Sequence, residues 1–401
     1  MTLLVRGRVL NYKRCPVGMD DHESYEYFED GALIVEGRFI KAIGLYKDMS
    51  QKFRDCHLVD HRPNLLLAGL IDLHNHFPQL EVIASYGTQL LDWLKKYTFP
   101  TEAKFSNKGY AKIMAKIFLD TLVYNGTTTS VSFCSVHKTS AEALFSEAKS
   151  RDMCLISGKV LMDRNAPRNV LDTPIQSYDD SKSLIKKWHK KGRAHYAISP
   201  RFAITSTPQQ LEVAGALLKE NPGCYLQTHL SENKAEIDQT MSLYKNFKNY
   251  LAIYESFGLL GPMSLMGHAI HLSENELEVI SATNTVAVHC PTSNMFLGSG
   301  LFDMKLFLER KINIGISTDV GGGTSFSMLA SLDAAYKIQQ FQNFSMNPLF
   351  SFYWATLGNA HALGLQHQIG SLSPGSFADF IVLNACSTPI SEKRMASCGS
   401  L

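Results

Sequence analysis

The sequence lacks long hydrophobic runs, C-x-x-C cysteine pairs and an excess of either charge sign. Its longest apolar segments, such as residues 65–71, are far shorter than the about 20 residues that a membrane-spanning helix needs. The eight cysteines are scattered, which predicts reduced buried thiols and argues against a disulfide framework or a cysteine zinc finger. A formal net charge of +2 gives no electrostatic reason to expect nucleic acid or a membrane surface as a partner.

Two further absences narrow the location and the chemistry. The first eight residues lack the apolar stretch of a signal peptide, so we expect a cytoplasmic protein. Neither a G-x-G-x-x-G nor a Walker sequence occurs, which argues against dinucleotide and P-loop chemistry. What remains is an ordinary globular composition, with 45% hydrophobic and 19% charged residues in 401 positions.

Strand and helix patterns divide the chain into three predicted parts. Residues 1–62 read as short strands with a hairpin turn at Glu36-Gly37, and residues 371–401 return to β character. We predict that these two ends form one small β-sandwich module. In residues 63–370, strands alternate with amphipathic helical stretches, which is typical of a parallel sheet covered by helices. The alternation counts about eight units, which favours a closed TIM-like (β/α)₈ barrel over an open sheet. The strand candidates are residues 65–73, 127–133, 154–162, 194–200, 224–229, 264–268, 285–289 and 312–318.

Four of the predicted barrel strands end in histidine or aspartate. The first runs into His74-Asn75-His76, and the fifth, sixth and eighth end at His229, His268 and Asp319. Active sites of β/α barrels form at the carboxyl ends of the strands, so these side chains are expected at one rim. Alternate residues of a strand face the same side, so the two histidines of the first strand project together.

These residue types fit a catalytic zinc site. Zinc binds histidine nitrogen and carboxylate oxygen, and a catalytic site keeps one position for water, whose pKa falls to about 7. The predicted set for one zinc ion per chain is His74, His76, His229 and Asp319. Glu232 and His268 remain as titratable groups that can move protons beside the metal.

Each piece alone has a simpler explanation. A histidine pair at a strand end is often a surface feature, and a Thr-Asp pair is often the N-cap of the next helix. A single histidine after a glycine, such as His268, is usually structural. The joint occurrence at four strand ends is what favours a metal site.

The ordered set of ligands resembles that of the amidohydrolase superfamily, over about residues 1–385. His229-Leu-Ser-Glu232 resembles the branch with one metal, and no lysine that could bridge two metals is evident on the fourth strand. Within the superfamily, residues 90–102 (LLDWLKKYTFPTE) are similar to the loop after the first strand in the guanine deaminase family. Other similar segments are residues 125–129, 200–202, 289–294 and 318–322.

The resemblance implies a function and a role for each candidate. The implied reaction is the zinc-dependent hydrolysis of guanine to xanthine and ammonia, in purine catabolism, by a homodimer. Glu232 would protonate the ring nitrogen beside the attacked carbon, Asp319 would take the water proton, and His268 would orient the nucleophile. The implied substrate-binding residues are Gln79, Trp93, Arg201 and Phe202. Their chemistry is suitable, because arginine offers fixed donors, glutamine offers a donor and an acceptor, and aromatic rings stack on a flat base.

Two departures and several alternatives accompany this interpretation. Ala68-Gly69 stands where the family usually has Pro-Gly, and the sequence stops before further strands of the small module, which predicts an open sheet edge. The alternatives in the same branch are a deaminase of another base or nucleoside, and an aromatic chlorohydrolase. A non-catalytic scaffold is a third alternative, but such relatives lose ligands, and every ligand is present here.

Overall fold

The computed structural model describes residues 2–87 and 89–398, and all structural statements below concern these residues. Their strands, numbered in chain order, are β1 (Thr2–Tyr12), β2 (Tyr25–Glu36), β3 (Phe39–Leu45), β4 (His57–Ala68), β5 (Leu70–His76), β6 (Thr127–Phe133), β7 (Cys154–Gly158), β8 (Val160–Leu161), β9 (Ala194–Pro200), β10 (Tyr225–Leu230), β11 (Ser264–His268), β12 (Val286–His289), β13 (Ile314–Ile316) and β14 (Phe380–Leu383).

The α-helices are also numbered in chain order. They are α1 (Tyr46–Lys52), α2 (Leu90–Trp93), α3 (Phe99–Ala103), α4 (Lys108–Tyr124), α5 (Lys138–Ser150), α6 (Pro174–Trp188), α7 (Pro208–Glu220), α8 (Lys234–Leu243), α9 (Tyr250–Ser256), α10 (Glu274–Thr283), α11 (Pro291–Phe296), α12 (Met304–Glu309), α13 (Met328–Phe341), α14 (Pro348–Tyr353), α15 (Asn359–Ala362) and α16 (Pro389–Cys398). Among the helices described, none combines the length and the hydropathy needed to cross a bilayer.

The predicted (β/α)₈ barrel is confirmed. The strand order is β5-β6-β7-β9-β10-β11-β12-β13, and the pairs from β6 onwards run parallel. The short strand β8 continues β7 and pairs with β9. Beyond β13, the Asp319 N–H donates to the His74 carbonyl at 2.8 Å, and the His76 N–H donates to the Val320 carbonyl. These bonds bring the end of the last strand against the first and nearly close the barrel.

Local sequence signals explain where the barrel helices begin. Helices α6 and α7 each start with Pro at the first helical position, after a threonine N-cap whose side chain accepts a backbone N–H. Helices α8 and α10 start with capping boxes, Asn233 with Glu236 and Ser273 with Glu276. Such caps satisfy N–H groups that a helix leaves unpaired, so each helix begins at a defined residue after its strand.

The predicted small module from both chain ends is also confirmed. Its described strands form one five-stranded sheet in the order β14-β4-β1-β2-β3, whereas we predicted a sandwich. Strand β1 pairs antiparallel with β2 and parallel with β4, and β14 pairs antiparallel with β4. Apolar side chains of one face, including Val9, Leu33 and Leu66, pack into its core.

The compact units divide at other residues than we predicted. One unit comprises Met1–Ile71 and Asn347–Leu401, and the other comprises Asp72–Met346, whereas the predicted boundaries followed residues 62 and 370. The apolar run at residues 65–73 predicts a single strand. In the structure, Leu65 to Ala68 pair with β14 as part of β4, and a new strand, β5, begins at Leu70. An apolar run shows burial, but it does not show which sheet a residue joins.

Candidate functional site

The first barrel strand is buried along its whole length although four of its residues are polar or ionisable. Asp72 supports this strand by accepting hydrogen bonds from the His74 backbone N–H (3.3 Å) and the Asn75 side chain (2.9 Å). It also accepts from the backbone N–H (3.0 Å) and the hydroxyl (2.5 Å) of Thr318. Asp72 therefore ties the first strand to the segment that carries Asp319, and it fixes the relative position of two predicted ligand-bearing segments.

The three predicted histidine ligands converge. Nitrogen atoms of His74, His76 and His229 lie within 4.8 Å of one another, and the Nε2 atoms of His76 and His229 are 3.2 Å apart. His229 donates through Nδ1 to the Arg201 carbonyl at 2.7 Å, since a carbonyl oxygen only accepts. That bond leaves the Nε2 lone pair of His229 directed at the other imidazoles.

Burial favours the neutral form of the His76 and His229 imidazoles. It lowers the pKa of His76 to about 3, and it lowers the pKa of His229 to well below the usual value, with neighbouring His74 acting in the same direction on His229. A neutral imidazole offers a lone pair to a metal ion, whereas a protonated one does not.

Close contact with His74 explains why a glycine, Gly267, precedes His268. A Cβ added at Gly267 would lie 2.5 Å from the His74 ring.

Asp319 faces the same cluster. Its Oδ1 lies 3.2 Å from His76 Nε2 and 3.4 Å from His74 Nε2. Burial alone would raise the pKa of Asp319, but the close approach of the His74 and His76 imidazoles outweighs it and holds the pKa well below the usual value. The backbone at Asp319 and at His268 has positive φ, of 50° and 68°, so both residues occupy the strained left-handed region that is often found at functional sites.

Glu232 lies next to His268 and does not belong to the converging set of His74, His76 and His229. Its Oε1 accepts a hydrogen bond from the Ser299 hydroxyl at 3.0 Å, and its Oε2 is 3.4 Å from His268 Nε2. Burial, followed by the negative charge of Asp319, raises the pKa of Glu232 to about 8. The carboxyl group therefore holds a proton at neutral pH and can give it to a base in the pocket.

His268 connects Glu232 with Asp319. Its Nδ1 donates to Asn294 Oδ1 at 2.8 Å, which directs Nε2 towards Glu232 and, at 3.7 Å, towards Asp319 Oδ2. His268 is thus held by a neutral partner on one side and faces two carboxyl groups on the other. This arrangement suits a residue that orients a water molecule between the two acids.

Nearly all of the predicted site residues line one pocket. Its lining includes His76, Gln79, Trp93, Arg201, Phe202, His229, Glu232, His268 and Asp319, together with Leu90, Leu94, Leu297 and Gly322. Of the predicted residues only His74 is outside the lining, and it lies directly behind, against the other histidines. The leucines of the lining were not predicted individually, because single aliphatic side chains give no distinctive signal in the sequence.

The rest of the pocket lining has a polar part and an aromatic part. Gln79 and Arg201 both donate to one oxygen of the fully buried Glu102, at 3.1 and 2.7 Å. Phe202 and Trp93 are buried in the apolar cluster around the pocket, and the Trp93 indole N–H donates to the Ser85 carbonyl at 3.0 Å. The pocket thus combines a flat apolar surface with a guanidinium and an amide.

The donor set fits a zinc ion. Three imidazoles and one carboxylate converge, and the buried His74 Nε2 has no hydrogen-bond partner within the described part of the chain. A buried nitrogen without a partner is unfavourable unless another species binds it, and nitrogen with carboxylate oxygen is a ligand set of zinc. The Cys290 thiol lies close to His74, His268 and Asp319, but burial raises its pKa far above the usual value, so it remains a neutral thiol.

Several supporting residues were missed by the sequence analysis. They are Asp72, Glu102, Asn294 and Ser299, each of which holds a predicted site residue through one or more hydrogen bonds. A signal existed for Asp72, because an aspartate inside the apolar run Leu-Ile-Asp-Leu must find partners when buried. No comparable signal existed for Ser299, whose partner is 67 residues away in the sequence.

Comparisons with known proteins agree with this geometry. A model of the amidohydrolase family matches residues 65–396. Guanine deaminase of Escherichia coli (strain K12) is 42% identical over 399 residues, which cover 99% of this chain and 91% of that protein. The solved structure of E. coli guanine deaminase matches with a TM-score of 0.97 at 41% identity, covering 100% of this chain and 93% of the other.

Two further crystal structures are similar. Guanine deaminase from Bradyrhizobium japonicum matches with a TM-score of 0.96 at 35% identity, over 100% of this chain and 92% of that chain. Guanine deaminase from C. acetobutylicum, with guanine bound in its active site, matches with a TM-score of 0.87 at 29% identity, over 96% and 91% of the two chains. The similarity therefore extends over nearly the whole length of both partners in each comparison.

Proposed function

The chain belongs to the amidohydrolase family, and from that premise we propose that it hydrolyses guanine to xanthine and ammonia. The observation that carries the proposal is the meeting of two groups of side chains in one pocket. His76, His229 and Asp319 form the metal-binding side, and Gln79 and Arg201 form the base-binding side. The identity of 42% to a guanine deaminase over 99% of the chain supports the same substrate.

One zinc ion per chain is part of the proposal. The ligands would be His74, His76, His229 and Asp319, whose nitrogen and oxygen atoms converge as described. Zinc bound there would make a water molecule acidic enough to act as a nucleophile at neutral pH. The protein's own residues must then hold the base, direct the attack and move three protons.

The base-binding residues would hold the edge of the purine so that its amine-bearing carbon is exposed to the nucleophile. Arg201 offers guanidinium donors for a ring carbonyl oxygen, and Gln79 offers its amide beside them. Phe202 and Trp93 would pack against the flat base and exclude water, since both are buried in the apolar cluster that lines the pocket. Excluding water strengthens the polar contacts of the bound base.

Proton transfer would be divided between two carboxyl groups. Glu232, protonated at neutral pH, would give its proton to the ring nitrogen next to the attacked carbon. Asp319 would accept a proton from the attacking water, and His268 would keep that water aligned between the two carboxyl groups. Glu232, now a carboxylate, would take the remaining hydroxyl proton of the adduct and pass it to the amine, so that ammonia leaves and the carbonyl of xanthine forms. The proton held by Asp319 would then restore that of Glu232.

A substrate panel tests the proposal. We expect purified, zinc-loaded protein to release ammonia and xanthine from guanine much faster than it releases ammonia from cytosine, adenosine or 8-oxoguanine. A chlorotriazine, assayed for chloride release, represents the chlorohydrolase alternative. Fast turnover of another compound without turnover of guanine would refute the substrate assignment. Absence of both zinc and turnover of every compound would instead support the scaffold alternative.

The cellular setting is proposed from the resemblance. We propose that the protein acts in the cytoplasm, in purine catabolism, and that its partner is the small purine and not a nucleic acid or a membrane. The near-neutral charge balance and the set of described helices agree with this setting. The reaction itself needs only a free base and water.

We also propose that the chain forms a homodimer. The support is the family resemblance, and the measurement is the mass of the zinc-loaded protein by light scattering after size exclusion. We expect a mass of twice that of one chain over a range of protein concentrations. A mass equal to one chain at every concentration would contradict the dimer, and it would leave the proposed reaction unaffected.

A further inference from the structure

A buried carboxylate lies behind the base-binding side of the pocket. Glu102 is 0% exposed, belongs to α3 and lies outside the pocket lining. Its Oε1 accepts two hydrogen bonds, from Arg201 Nη1 at 2.7 Å and from Gln79 Nε2 at 3.1 Å. Two side chains that follow different barrel strands therefore share one acceptor atom.

This contact fixes the orientation of the Gln79 amide. A glutamine amide can turn over and exchange its donor with its acceptor, but a carboxylate only accepts. The nitrogen of Gln79 must therefore face Glu102, and the oxygen must face the other way. The Gly321 backbone N–H, 3.4 Å from Gln79 Oε1, lies on that opposite side and agrees with the same orientation.

The same contact takes up one arm of Arg201. With Nη1 engaged by Glu102, the rest of the guanidinium fork remains as donor towards the pocket, and its charge is balanced by the buried carboxylate. Arg201 then recognises a neutral carbonyl oxygen, and Gln79 Oε1 recognises a neighbouring N–H. Together they match the N–H and C=O of a lactam edge.

We propose that Glu102 is a positioning residue that sets the polarity of the base-binding side and makes the pocket selective for a lactam edge. The inference rests on the proposed function, because guanine has an N1–H beside the carbon that loses its amine, and its C6=O is on the other side of N1. 2-Aminopurine has the same amine on the same carbon. It has a lone pair at N1 and a C–H at C6. Its N1 would therefore face Gln79 Oε1, and neither of these two acceptors can donate a hydrogen bond to the other.

The test compares these two substrates. We expect the wild-type protein to prefer guanine by about 100-fold or more in kcat/KM, because the analogue leaves buried polar groups unpaired. In Glu102→Gln, the side chain at this position can donate as well as accept, so Gln79 is free to turn over and donate to N1. We expect the preference for guanine to fall by about tenfold or more.

Two control variants separate polarity from structure. Glu102→Asp keeps an acceptor-only group, so it should retain the preference even where kcat/KM falls for both substrates. Glu276→Gln removes another buried carboxylate, one that caps α10 and accepts from Ser273 at 2.9 Å outside the pocket, and should leave the preference unchanged. Melting temperatures of all variants show whether each is folded.

The outcomes are distinguishable. An unchanged preference in a folded Glu102→Gln variant, with both rates reduced equally, would show that Glu102 has only a structural role. If that variant does not fold, the proposal is tested on wild-type protein by comparing its dissociation constants for guanine and for 2-aminopurine. Equal affinities for the two compounds would overturn the proposal. Wild-type protein that binds guanine selectively but never deaminates it would refute the proposed function and not the role of Glu102.

Discussion

Replacing Glu232 with glutamine should lower kcat for guanine by about 100-fold to 10,000-fold while leaving the zinc content unchanged. The shape of the side chain survives, and so does the hydrogen bond that Oε1 accepts from Ser299 at 3.0 Å. What disappears is a group that holds a proton at neutral pH and can both give it up and take it back. An amide cannot protonate the ring nitrogen or the departing amine.

The measurement is steady-state kinetics on zinc-loaded variants, with zinc determined by elemental analysis. Ser299→Ala is the matched control, because it removes the hydrogen bond to Glu232 and leaves the carboxyl group in place. We expect this control to lose several-fold in kcat, far less than Glu232→Gln. Wild-type activity in a zinc-loaded Glu232→Gln protein would remove Glu232 from the proton transfers and would require another acid.

The residues at the carboxyl ends of the strands were predictable because two simple rules apply to them. Short apolar runs mark buried parallel strands, and the polar residue that ends each run must face the rim of a barrel. On this basis, the sequence alone predicts that His229 and Asp319 belong to one site. The family resemblance then added roles for Gln79 and Arg201, and the structure places both in the same pocket.

Contacts between distant segments could not be predicted in the same way. Glu102 and Arg201 are 99 residues apart, and nothing in the local sequence shows that one accepts a hydrogen bond from the other. Asp72 and Thr318 are 246 residues apart, and their contact depends on the closure of the barrel. The predicted first strand, residues 65–73, differs from the observed strand β5 for a related reason. The apolar run from Leu65 contributes to two different sheets.

Replacing His229 with alanine should deprive the protein of its metal and, with it, of almost all turnover. Changing a residue that only supports a ligand costs about 10-fold to 100-fold in metal affinity, so removal of a ligand should cost more than about 100-fold. The Arg201 carbonyl holds the His229 ring so that its Nε2 lone pair is directed at His76. Alanine at position 229 offers no nitrogen there, and a small movement of the backbone would not restore one. Zinc content after dialysis against a chelator, followed by the guanine assay, measures both effects.

His289 offers a matched control for this variant. It is also a fully buried histidine at the end of a barrel strand, but neither of its ring nitrogens has a hydrogen-bond partner in the described residues, and its ring stacks on Phe302 at 4.7 Å. We expect His289→Ala to lose stability, because it leaves a cavity, and to retain zinc. Full zinc occupancy in His229→Ala would contradict its role as a ligand. Loss of zinc from both variants alike would show that metal retention depends on the packing of the whole rim, and not on the nitrogen atoms that converge there.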